Sequence, residues 1–419
     1  MINDYKITVF GAIPKHWQIV EVNDITKEHK QGYYTKDDYV ENGIRLARIT
    51  DLNNPIVDYS DMPKLKISDS DFQSYKIEKN DFLFARSGAI GRYGIVEKNE
   101  FPAIFASYLI RFRFNSDIVN RFFGYFFESN LCSKQLKGIS QGNANININA
   151  ENIKSLKFPR PPLSEQQRIA EILSTVDAKI EIIDQQISET QELKKGLMQQ
   201  LLTKGIGHTE FKDSVLGKIP KSWEVLKVGD TCSLKGGFAF KSSDSCEHGI
   251  RWVKIANVGV NKIKWNDESF LPHGFEIQHR DFVLNEGDII LAMTRPILNG
   301  KLKIARISKF DSGSLLNQRV GRILENNNLN KDFAYQVFNS FLFISAMEKE
   351  LVGTDPPNIS SSMFEELNIA LPPLKEQVEI AEILTSYDQK LEVLSEKKTT
   401  YQEMKQGLMQ QLLTGKVRV

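Results

Sequence analysis

The apolar and polar positions of this chain fall into two kinds of pattern. Within residues 161–204, Ile169, Leu173, Val176, Ile180, Ile183 and Ile187 recur at alternating spacings of four and three, and Leu197 and Leu201 resume the register after polar Thr190 and Lys194. The C-terminal residues 372–419 do the same through Ile380, Leu384, Tyr387, Leu391, Leu394, Tyr401, Leu408 and Leu412, with Lys398 and Lys405 interrupting. This is the apolar seam of a coiled coil. An isolated apolar stripe needs a partner in water, so the pattern predicts that the two helices pair with each other. The second helix must return from the globular part that follows the first, which makes the pairing antiparallel. Roughly 40 residues at 1.5 Å each predict a spacer of about 60 Å with a globule at each end.

Outside these helices the pattern changes to short strands and turns. In the first half, residues 43–49, 81–86 and 93–96 are predicted strands, the last two flanking the glycine-rich turn Ser87-Gly88-Ala89-Ile90-Gly91. Residues 118–132, apolar and aromatic, are predicted as one helix. The second half answers with strands at 249–255 and 287–292 and a helix near 331–349. Apolar exit strands at 153–158 and 364–371 precede a Pro-Pro pair in each half. Proline biases its predecessor away from helix and is tolerated at a helix start, so each pair marks a rigid joint from globule to helix.

The repetition extends to identity. At a constant offset of 211, residues 161–204 agree with the C-terminal segment at 24 of 44 positions without a gap. Pro161-Pro162-Leu163-Ser164-Glu165-Gln166 returns as Pro372-Pro373-Leu374-Lys375-Glu376-Gln377, and residues 196–203 return unchanged as 407–414. Each globular part also opens alike, with Gly11, Ile13-Pro14 and Trp17 matched by Gly217, Ile219-Pro220 and Trp223. The chain is therefore a tandem duplication of α+β type. Its predicted segments are a globular domain at 1–160, a helix at 161–204, a second globular domain at 205–371 and a second helix at 372–419. Gly205 and Gly207 break the first helix at the internal boundary.

A length of 419 residues exceeds the usual limit of one hydrophobic core and agrees with two domains or more. Three cysteines without framework spacing point to a reducing compartment. The polar N-terminus and the lack of any apolar run near 20 residues predict a cytoplasmic protein with no membrane span. Net charge is +1 overall, and the four segments carry +3, −2, 0 and 0. A free-standing DNA binder is usually more basic, because phosphate neutralisation dominates affinity.

A search for catalytic chemistry returns nothing. Thr354-Asp355-Pro356-Pro357-Asn358 has an aromatic replaced by Asn358 where a base-gripping methyltransferase loop needs one, and reads as a proline-stiffened turn. The glycines from Gly88 to Gly94 fit neither the dinucleotide fingerprint nor a phosphate loop. Glu192-Leu193-Lys194 and Glu403-Met404-Lys405 lie in the coiled coil, where charges are solvated flanks. Cys232, Cys246 and His248 lack paired metal-ligand spacing. The chain is expected to bind no metal and no cofactor of its own.

What remains is a polar inventory at loop tips. In the first half it comprises Arg86, Ser87, Gly88, Gly91, Arg92 and Tyr93 around one turn, and Gln141, Asn143, Asn145 and Asn147 before the exit strand. In the second half it comprises Thr294, Arg295, Asn299 and Lys301, then Asn317, Gln318 and Arg319. Arginine on guanine and Asn or Gln on adenine are the usual bidentate pairings in the major groove, so these types suit base readout. Asn-rich loops also simply make turns, since Asn tolerates left-handed backbone. Two other classes stay open on residue type: a DNA-independent adaptor scaffolded by the coiled coil, and an enzyme whose motifs are not legible.

The repeated Pro-Pro-Leu-x-Glu-Gln and Ile-Ala-Glu-Ile-Leu, and the endings Gly-Leu-Met-Gln-Gln-Leu-Leu-Thr, resemble the helical regions of the specificity subunit of type I restriction-modification enzymes. The resemblance covers the whole chain. It implies two target-recognition domains, each reading half of an interrupted DNA site, with the paired helices as a ruler between them. It also implies two modification (methyltransferase) subunits seated on the helices and restriction subunits joining them, so that S-adenosylmethionine, ATP and Mg2+ belong to those partners. Carried over by residue, the family's glycine turn matches Arg86 to Gly91, and less well Thr294 to Gly300, where Pro296 displaces a glycine. The Asn-Gln step matches Asn317-Gln318, with Ala106-Ser107 in that place in the first half. A loop that opens on glycine and closes on Asn-Ile matches residues 142–146 and, loosely, 353–359.

Overall fold

The structure, a computed structural model, describes residues 4–86, 91–98, 100–139, 149–353 and 356–419. Its contacts divide the chain into two units, Met1–Gln185 with Glu396–Val419, and Gln186–Ser395. Each unit takes half of each long helix, the 42-residue Leu163–Lys204 and the 39-residue Leu374–Leu412.

In the first unit a hairpin, Tyr5–Thr8 with Gly11–Pro14, leads to Trp17, and strand Gln18–Glu21 pairs antiparallel with the exit strand Lys157–Arg160. The main sheet runs in the order Thr26–Gln31, Leu109–Phe114, Phe82–Ala85, Tyr93–Ile95, Ile56–Val57, Leu52–Asn53. Phe82–Ala85 reads as an unbroken apolar run because both its faces are covered. Phe82 and Phe84 point into a core built with the helix Asn120–Glu128, while Leu83 and Ala85 point into a second cluster with Val96, Ala103 and Phe105. A smaller sheet orders Ala103–Phe105, Ile44–Ala47 and Lys64–Leu65.

The second unit repeats the plan with fewer strands. Its hairpin is Phe211–Ser214 with Gly217–Pro220, and Glu224–Lys227 pairs with Asn368–Leu371. The main sheet is Cys232–Gly236, Val320–Glu325, Ile289–Ala292, Ile304–Arg306. Ile289 and Leu291 face one cluster, and Ile290 and Ala292 the other. Phe270–Leu271, Ile250–Val253 and Leu315–Leu316 form the smaller sheet.

The helices pair antiparallel. In the first unit Lys398 Nζ lies 2.5 Å from Asp184 and Lys405 Nζ 2.8 Å from Asp177, so seven residues up one helix are seven down the other. In the second, Lys194 Nζ lies 2.6 Å from Asp388. Ile169, Leu173, Val176, Ile183, Ile380, Leu384 and Leu394 are buried, and Ile180, Ile187 and Leu391 half-buried. The seam does more than join helices: Ile169 and Leu173 sit in the first unit's core with Leu412, and Ile380 and Leu384 in the second unit's core with Leu201.

Three expectations change. The helix expected at 118–132 is two, Asn120–Glu128 and Asn130–Ile139, because the Ser129 side chain and amide both bond to the Phe126 carbonyl and extended backbone follows. Its counterpart is likewise two, Lys331–Phe338 and Phe341–Glu350, the second capped by Ser340. The exit strands begin later than the apolar runs suggest. Ala150–Lys154 and Ser361–Glu365 are short helices, capped by Asn149 accepting from the Asn152 amide and Ser360 from the Met363 amide. Among the described residues no helix is long and apolar enough to cross a membrane.

Candidate nucleic-acid interface

Each globular part is fastened to its helices by the same two devices. At the first, the indole of Trp17 donates to Glu165 at 2.9 Å, and that of Trp223 to Glu376 at 2.9 Å. The next residue is a buried glutamine. Gln166 accepts from the Val119 amide and donates to the carbonyls of Asp117 and Pro161; Gln377 accepts from the Asn330 amide and donates to Asn328 and Pro372. A buried amide must satisfy its donors and acceptor, and here it does so by stitching a domain loop to the helix start. The opposite helix ends at the same place on a left-handed glycine. A Cβ on Gly205 (φ +65°) would lie 2.9 Å from Trp223, and one on Gly415 (φ +64°) would lie 2.4 Å from Pro14.

The second device accounts for the polar seam positions. Lys405 reaches both Asp177 (2.8 Å) and Glu128 (3.0 Å), and the Tyr125 hydroxyl donates to Asp177 at 2.7 Å. Burial alone would lower the Lys405 amine, but Glu128 and Asp177 outweigh it and hold it above the ordinary lysine value. In the second unit Lys194 meets Asp388, which also accepts from Gln336 at 2.8 Å. Thr190 is buried. Lys405 thus binds a helix of its own unit's globular part as well as the facing long helix, and in the second unit Asp388 links Lys194 to the globular part through Gln336.

The residue types that suit base readout lie on other loops of the same units. In the first unit the Arg86 amide donates to the Tyr108 carbonyl (2.9 Å) and the Ala85 amide to the Arg92 carbonyl (3.0 Å). Asn54 bridges the same turn, donating to the Gly91 carbonyl and accepting from the Tyr93 amide. Arg86 is half-buried, Arg92 exposed. Tyr93 is not a loop residue. It is fully buried and stacked on Phe82 at 4.8 Å, its hydroxyl donates to Glu128 at 2.8 Å, and burial followed by Glu128 pushes that hydroxyl well above the ordinary tyrosine value. It belongs to the core. Ser87, Gly88, Gln141, Asn143, Asn145 and Asn147 lie outside the described residues, as does the loop at 142–146.

In the second unit Thr294, Arg295, Asn299, Lys301, Asn317, Gln318 and Arg319 come from adjoining segments. The Met293 amide donates to the Arg319 carbonyl (2.9 Å), and Ile297–Leu298 pairs with Lys301–Leu302 across Asn299 and Gly300, both at positive φ. Arg295, Asn299, Lys301, Gln318 and Arg319 are exposed. The proline-stiffened turn is a brace for this surface: the Thr294 hydroxyl bonds to Asn358 Oδ1 at 2.5 Å, and the Arg295 amide donates to the Pro357 carbonyl at 2.7 Å. Asn317 accepts from the Arg319 amide in an Asx turn, so part of its polarity is spent on local structure.

Two residues of these turns were missed by sequence reasoning. Tyr108, 62% exposed, stands where Arg319 stands in the second unit, since Arg86 and Met293 make the equivalent amide contacts. Lys303 stands where Arg92 stands, because the Ala292 amide donates to the Lys303 carbonyl as Ala85 does to Arg92. Burial first, then Lys264 and Arg295, hold the Lys303 amine below its ordinary value.

The sequence model for the type I restriction modification DNA specificity domain matches this chain twice, at residues 14–192 and 220–401. The chain is 32% identical to the type I restriction enzyme MjaVIII specificity subunit of Methanocaldococcus jannaschii, across 97% of this chain and 94% of that one. It is 25% identical to the Escherichia coli type I restriction enzyme EcoKI specificity subunit, across 88% and 82%. The crystal structure of a type I restriction-modification S subunit from M. genitalium shares the fold, with a TM-score of 0.60 at 15% identity over 94% of this chain and 96% of that one.

Proposed function

The chain belongs to the type I restriction modification DNA specificity family, and from that premise we propose that its two globular parts read the two halves of an interrupted, asymmetric DNA site. It is a specificity subunit, the DNA-recognition component of its system and not a catalytic one. The observation that carries the bipartite reading is a contrast within the duplication. The Trp-Glu joint, the buried glutamine and the Lys-Asp node occur in both units. The loop tips differ: Met293 stands in the place of Arg86, Gln318 in that of Ser107, and Arg319 in that of Tyr108. A framework held constant around divergent polar tips is what two readers of different sequences require.

The helices scaffold two copies of one modification subunit. Exposed apolar positions recur in both halves at the same offset: Ile182 (48%) with Val393 (49%), and Leu193 (52%) with Met404 (42%). Apolar side chains left outside in duplicate suit duplicate partners. Those subunits supply S-adenosylmethionine binding and adenine methylation, and restriction subunits supply ATP- and Mg2+-dependent translocation and cleavage. They also share phosphate contacts, which fits a net charge of only +1.

Methylome sequencing of the host with and without this gene tests the reading. One split motif should vanish on deletion; no change in methylation refutes it. Replacing residues 17–157 with a relative's domain should alter one half-site only. Inserting about four residues, a little over one turn, into both helices should lengthen the unread gap.

A further inference from the structure

We propose that Arg92 and Lys303 are equivalent backbone-phosphate anchors, one for each half-site, distinct from the residues that read bases. The inference rests on the DNA-reading function above. Both residues occupy the same place in the fold: the carbonyl of each accepts from the neighbouring strand at 3.0 Å, from the Ala85 and Ala292 amides respectively. Both send their cationic head the same way. Arg92 Nη1 donates to the Ile49 carbonyl and Lys303 Nζ to the Ile255 carbonyl, each at 3.3 Å, and Ile49 and Ile255 each open a 3-10 turn, Ile49–Asp51 and Ile255–Asn257.

That single bond uses one of five guanidinium donors and one of three ammonium donors. Among the described residues the partner of each head is that backbone carbonyl and not a carboxylate. In the second unit burial first, and then the neighbouring cations Lys264 and Arg295, disfavour the charged form of Lys303. A bound anion would relieve that repulsion.

The comparison between units then separates two kinds of contact. Residues that read bases must differ between domains that read different sequences, and the tips at 86 and 293, 107 and 318, 108 and 319 do differ. Phosphates carry no sequence information, so a residue that grips them should keep its charge in both domains. Arg92 and Lys303 keep charge and place while changing side-chain type, which fits a requirement for a cation and not for a bidentate base pairing.

The test uses the complex of this chain with its modification subunits, titrated across a salt series with two duplexes, one bearing the methylome-defined site and one a shuffled sequence. Arg92→Gln and Lys303→Gln should each weaken both duplexes by the same factor, about eightfold near ~0.1 M salt, and lower the salt slope by about 0.9, leaving the methylome motif unchanged. Arg92→Lys and Lys303→Arg should restore binding. An unchanged slope in the Gln variants overturns the proposal, and so does a loss confined to the specific duplex with an altered half-site, which would make these residues base readers. If the wild-type complex binds neither duplex, the DNA-reading function falls first and this proposal with it.

Discussion

The two globular parts solve one packing problem with different side chains. On the central strands, Phe82, Phe84 and Phe112 of the first unit correspond in register to Ile289, Leu291 and Ile323 of the second. The bulk moves as well as changes. The first unit has Tyr93 on a strand against Gly124 on a helix, where a Cβ would lie 2.6 Å from the Tyr93 hydroxyl. The second has Ile304 on the strand and Tyr335 on the helix, with the Tyr335 hydroxyl reaching Asn261 at 3.0 Å. A core accepts any distribution of volume that fills it, whereas a joint made of hydrogen bonds accepts one chemistry. This is why the joints are duplicated residue for residue and the cores are not.

If the joints are equivalent, breaking them should cost the same. Trp17→Ala and Trp223→Ala each remove a fully buried indole and its bond to glutamate, and each should destabilise by about 3–5 kcal/mol in chemical denaturation. Costs that differ by more than about 2 kcal/mol would show that the matching geometry hides unequal joints. The second device is less symmetric. Lys405→Met takes the cation from two carboxylates, Asp177 and Glu128, each of which keeps a tyrosine hydroxyl, whereas Lys194→Met takes it from Asp388 alone, which keeps its bond from Gln336. Expected losses are about 3 kcal/mol and about 1.5 kcal/mol. Equal losses would mean that Glu128 contributes nothing to the node.

How far these features were legible in the sequence follows from the same contrast. The duplicated helices, the antiparallel pairing and the entrances with Trp17 and Trp223 stood out because joints repeat as identities. Tyr93 was misplaced because a strand covered on both faces shows no alternation, so nothing in its neighbours marks it as inward. The break at Ser129 was missed because Glu128-Ser129-Asn130 carries no Gly or Pro warning. Lys303 was hidden by spacing: its turn is four residues longer than that of Arg92, enough to hold the hairpin Ile297–Leu298 with Lys301–Leu302. Asn149 with Asn152 was a capping signal in plain view, and it would have corrected the exit strand.

The relocated tyrosine gives a sharper test of core equivalence. Gly124→Tyr alone forces a ring into the space of Tyr93 and should cost about 1–3 kcal/mol. Adding Tyr93→Ile transplants the second unit's arrangement into the first. The double variant should be more stable than Gly124→Tyr alone, with a favourable coupling of about 1 kcal/mol in a double-mutant cycle. Additive effects would show that the helix and strand positions do not share one volume.

The smallest effect separates the lysine that fastens the fold from the half-buried lysine of the second unit's turn. Lys405 titrates above the ordinary lysine value in the folded chain, so its stabilisation is fully present below about pH 10.4 and is lost as pH rises through the folded value. Lys303 titrates below that value. Between its depressed folded value and about pH 10.4 the unfolded chain binds more protons than the folded one, so stability contributed there rises with pH. The two contributions have opposite slopes. Against wild type, Lys405→Met should therefore flatten the alkaline fall and Lys303→Met the preceding rise, each by about 1 kcal/mol or less in unfolding free energy measured from about pH 8 upward. A Lys303 contribution that falls with pH would mean that its surroundings are anionic, and the argument that repulsion among Lys303, Lys264 and Arg295 leaves room for a phosphate would fail with it.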